Sequence, residues 1–101
     1  MKEACLSLLS EGLYADNLTR LIDHLCETHF DQHPVVCWVL IVIAHRLVNE
    51  YQGQAISTER YDTLMHVLQP RLLTLVELAE APPTDFLAAL SGVVRTFHGI
   101  A

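Results

Sequence analysis

The sequence predicts an all-α fold, a small antiparallel bundle of four to five helices forming one domain over residues 1–101. Three observations predict it. Apolar residues recur at three- and four-residue steps along nearly the whole chain. Leu alone supplies seventeen residues while Gly and Pro supply four each, a composition of ordered helix rather than loop. No two segments offer strands that could satisfy each other's backbone groups.

Each element follows from that spacing. Cys5, Leu8 and Leu9 make a short apolar face, closed where Gly12 suits a left-handed C-cap and Leu13 can fold over Leu8. Asp16 is positioned to cap a second helix with the stripe Leu18, Leu21, Ile22, Leu25 and Cys26 or His29. The run Val35–Ala44 is β-branched enough to read as a buried strand. Its pattern continues through Leu47, Val48 and Tyr51 at helical spacing, however, so it is read as a central helix from Pro34 to the glycine at Gly53. Ser57 or Thr58 opens a fourth helix with the stripe Tyr61, Leu64, Met65, Leu68, Leu72, Leu75, Val76 and Ala79. Pro70 removes one backbone donor there, and the preserved phase favours a kinked helix over two separate ones. After Pro82 and Pro83, Thr84 can cap a last helix with the stripe Phe86, Leu90, Val93, Val94 and Phe97, ended by Gly99.

The stretch from Leu68 to Phe97, an apolar helix with an internal Pro, a Pro-containing turn and a second apolar helix, resembles one HEAT-type helical hairpin. That makes a short HEAT-like helical hairpin array the alternative architecture. A stable solenoid needs more repeats than this length holds, so the bundle is preferred.

Composition bounds the function. The net charge is -6, and Lys2, Arg20, Arg46, Arg60, Arg71 and Arg95 are widely spaced, which argues against nucleic acid and against an anionic membrane surface. The start of the chain lacks a signal-peptide pattern, and the apolar run Val35–Ala44 is about half the roughly 20 residues that span a bilayer. Cys5, Cys26 and Cys37 are odd in number and irregular in spacing, the pattern of reduced thiols in a cytoplasmic protein. An apolar share of 51% exceeds what a small lone domain hides easily, which points to a protein partner or to a homodimer.

Catalytic chemistry is not legible. No nucleophile elbow or phosphate-cradling Gly-rich loop is present, so the expectation is a non-enzyme without a cofactor. Glu77 and Glu80 form one carboxylate pair, read as a solvated helix end. His45, His66 and His98 read as surface or helix-end groups, with Asp62 and His66 spaced to pair. One cluster carries ligand-type residues: Cys26, His29, His33 and Cys37 could close a tetrahedral zinc site, although Cys26 and Cys37 also fit apolar helix faces. It defines the rival function, a metal- or redox-responsive helical protein.

The leading expectation is a non-catalytic protein–protein interaction module, a small adaptor, chaperone-like or regulatory subunit. Two surfaces motivate it. On the central helix, the polar line of His45, Arg46, Asn49 and Glu50 turns apolar toward the N-terminus as Val35, Trp38, Val39 and Val42. Cover by the same chain is the first expectation there, and cover by another chain the alternative. On the last helix, Ala88, Ala89, Gly92 and Thr96 oppose the apolar stripe. Ala88 and Gly92 would seat a second helix or lie as short residues on an exposed face.

Overall fold

The computed structural model describes residues 2–28 and 32–100. The chain is all-α, with no strand among the described residues: α1 (Lys2–Glu11), α2 (Ala15–Thr28), α3 (Pro34–Tyr51), α4 (Thr58–Thr63), α5 (Gln69–Glu77) and α6 (Pro83–Ile100). A π-helical turn, Leu64–Leu68, joins α4 to α5.

Local chemistry sets the ends. Ser57 caps α4, its Oγ accepting from the Arg60 N–H at 3.1 Å. Pro34 occupies the first turn of α3, and Gln52 closes it in the left-handed region at φ 36°, with Gly53 following at φ 78°. Two predicted caps move. Asp16 lies inside the first turn of α2 instead of before it, and bridges to Arg20 at 3.4 Å. Thr84 lies inside α6, which begins at Pro83 with the Pro82 carbonyl accepting from Phe86. Gly99 does not end α6, which runs on to Ile100.

Pro70 neither breaks the fourth helix nor leaves it regular. Residues 58–77 stay helical throughout, and the π turn just before the proline re-pairs the backbone, the Gln69 N–H reaching the Leu64 carbonyl. The extra residue in that turn offsets the donor that proline lacks while keeping Leu64, Leu68, Leu72 and Leu75 on one buried face.

The buried residues form one cluster fed by every helix except α4. α2 lies along α3, α1 bridges α2 and α5, and α5 carries α6. The shortest molecular extent is 18 Å. With helices packing at roughly 8–10 Å that is two layers, so each helix keeps an outer face. α3 contributes Val36, Cys37, Leu40, Ile43, Ala44 and Leu47 to the core, whereas α6 contributes only Val93 in full. α3 is also long and apolar enough to cross a membrane by length and composition, and 39% of it is buried in this fold.

Candidate interaction surface

α3 is apolar on two sides, and the core takes only one. Val36, Leu40 and Leu47 point inward; a third of a turn away Val35, Trp38 and Val42 are 49%, 61% and 40% exposed, with Val39 half-buried. The expected cover by the same chain is therefore corrected: no described element lies over Trp38. α3 packs its inward face mainly on α2, and α6 docks on α5 instead of over Trp38.

α6 repeats the arrangement. Phe86, Leu90, Val93 and Phe97 face the core, but Val94, assigned to that stripe from its spacing, is 54% exposed, and Leu87 is 60% exposed. Leu87 and Val94 are seven apart and so share one line of the helix, a signal the sequence does carry.

The two outer faces meet in an open groove of about 380 Å³. Trp38, Val39, Val42 and Ile43 form its α3 wall, and Val94 and Phe97 its α6 wall. Arg46 and His98 are the polar lining residues, and no carboxylate is among them. Arg60 links the ends of the two wall helices. Its Nε donates to Glu50 Oε2 at 3.0 Å and its Nη2 to Glu50 Oε1 at 2.5 Å, while Nη1 donates to the Ile100 carbonyl. One guanidinium thus ties the C-terminal end of α3 to that of α6, and the Glu50 carboxylate beside it pushes the arginine's own pKa further up.

Among the described residues no helix of this chain packs on Ala88 and Gly92. Ala88 is exposed, and the group over Gly92 is the Arg71 side chain of α5, whose Nη1 would lie 3.3 Å from an added Cβ.

Of the metal-ligand types, Cys26 and Cys37 lie near enough to interact electrostatically, but no third joins them among the described residues. Cys37 is buried and its thiol pushed up by burial, Cys26 is exposed, and His33 Nε2 lies 3.5 Å from Glu80 Oε1. His29 lies outside the described residues, and among the described residues no three His, Cys, Asp or Glu side chains are grouped to hold an ion. Cys26 is exposed, so of the two predicted ends of the α2 stripe it is not the buried one; among the described residues α2's buried line ends at Leu25. His66 Nδ1 sits 2.8 Å from the Asp62 backbone carbonyl instead of the carboxylate.

One buried polar residue went unread in the sequence. Asn17, 1% exposed, sends its Nδ2 toward the Leu8 and Gly12 carbonyls at 3.4 and 3.3 Å, satisfying the end of α1. Its Oδ1 accepts from Arg20. An Asn just after a Gly-containing turn was the available sign.

No family model, curated protein or solved structure matches the chain.

Proposed function

We propose that the chain is a non-catalytic protein-interaction module whose contact surface is the α3–α6 groove. The observation that carries this reading is the exposure of Trp38, 61%, at the centre of a line of Val side chains. Leaving so large an aromatic in water forgoes burial on the order of 2 kcal/mol, and a docked partner would recover it. Trp is also among the residue types enriched at interface anchors. Cys5, Cys26 and Cys37 form no disulfide with one another, which agrees with a reducing compartment.

Trp38→Asp tests the reading against Leu47→Ala. Leu47 is fully buried and packs in the core, so its truncation should cost about 2–5 kcal/mol in a denaturant melt. Trp38→Asp should melt within about 0.5 kcal/mol of the parent, as surface substitutions do, and lose association with whatever occupies the groove. A Trp38→Asp chain that unfolds would place Trp38 in the core and end the proposal.

A further inference from the structure

We propose that the α3–α6 groove receives an amphipathic helix of a different protein, one carrying acidic side chains beside its apolar anchors; this rests on the interaction-module reading. The charge layout carries the inference. The chain has twelve Asp and Glu against six Lys and Arg, yet no carboxylate lines the groove, whereas Arg46 does. The acid of α3 is Glu50, already held by Arg60, and the acid of α6 is Asp85, in its first turn. Arg20 and Arg60 have carboxylate partners, while Arg46 forms no ion pair among the described residues. The groove is thus apolar, with the Arg46 guanidinium at its edge forming no ion pair among the described residues.

The walls select a helix as the occupant. Both are helices whose backbone groups are bonded internally, so they offer no edge to an extended strand, and their side-chain ridges suit anchors at i, i+3 or i+4, and i+7. From Trp38 to Arg46 is roughly 12 Å along the axis, two turns of such a ligand. A second copy of this chain fits less well. A two-fold contact would set this patch on itself, with Arg46 and His98 on both sides and no lining carboxylate to meet either.

The test is a display selection on the full chain, counter-selected on Trp38→Asp. The library is an 18-residue helical peptide with Leu fixed along one face and Glu, Gln or Lys allowed on its flanks. Enrichment of Glu is expected, and each purified Glu-rich peptide should shift the emission of Trp38, the sole tryptophan, to shorter wavelength. Arg46→Glu should weaken those peptides at least about tenfold and turn the selection toward Lys. Enrichment of Lys or Gln on the parent, or a dimer of the chain abolished by Trp38→Asp, overturns the acidic-helix proposal and leaves the module reading standing. A chain that stays monomeric and yields no Trp38-dependent peptide overturns both. So does a Trp38 shift given by phosphatidylserine vesicles and by no peptide.

Discussion

Gly12 and Gly92 differ in what surrounds them. Gly12 has φ 144°, and an added Cβ would fall 2.5 Å from the Tyr14 ring and 2.6 Å from the Tyr61 hydroxyl. Tyr14 stands in the turn between α1 and α2 and Tyr61 on α4, and the positive φ itself disfavours a side chain, so Gly12→Ala should cost roughly 1–3 kcal/mol, read from the urea midpoint. At Gly92 the nearest group is the far end of the exposed Arg71 side chain, which can swing aside. Gly92→Ala should therefore gain up to about 1 kcal/mol from helix propensity, and a loss would show Arg71 to be fixed in place. Cys5 makes a third case. It is fully buried, and desolvation, aided by neighbouring Cys37, pushes its thiol from 9.0 to about 11. Below pH 9 both folded and unfolded chains hold this proton. Between 9 and about 11 the unfolded chain loses it first, so stability should fall as pH rises through that window. Cys5→Ala should flatten the slope between urea melts at pH 8 and pH 10. A slope unchanged in Cys5→Ala would assign it to other groups, Tyr51 among them, whose hydroxyl burial also pushes up.

The helices were legible because their apolar residues follow the period that packing demands; their joints were not. The stripe Leu64, Leu68, Leu72 and Leu75 could be read straight through Pro70, yet the π turn that keeps it in phase leaves no trace in residue type. Caps shifted at Asp16, Thr84 and Gly99 because a polar or Gly residue near a helix end can serve in several positions within one turn. The groove was half legible. A helical wheel gives the direction in which Trp38 points, but whether anything stands there depends on where α6 docks, a tertiary matter that no local pattern encodes. Arg60 belongs to this scale too, since it joins two helix ends that are far apart in sequence. Its pair with Glu50 is partly exposed, so Arg60→Ala should lower global stability by only on the order of 1 kcal/mol. Its larger effect should be local, faster amide exchange over the last turn of α6.

At the scale of the molecule, α6 is the element held from one side. It rests on α5 and the π turn, buries only Val93 completely, and turns Leu87 and Val94 to water. Among the described residues α2 and α3, by contrast, bury nine side chains between them that are at most 5% exposed, Leu18, Leu21, Leu25, Val36, Cys37, Leu40, Ile43, Ala44 and Leu47, not counting the polar Asn17. Opening free energies follow such differences in buried apolar contact, so α6 should open below the global unfolding free energy while α2 and α3 exchange only at it. This asymmetry bears on function. A helix docked between α3 and α6 would supply α6 with its second side, and binding would then raise α6 protection more than that of any other element. Native-state hydrogen exchange reads both quantities. In the free chain, α6 amides should exchange through a sub-global opening that Trp38→Asp leaves unchanged, because Trp38 does not hold α6 in place. With a groove-binding peptide in excess, the same amides should slow toward the global limit. If α6 already exchanges at that limit in the free chain, the groove is a rigid seat and docking stabilises nothing beyond the contact itself.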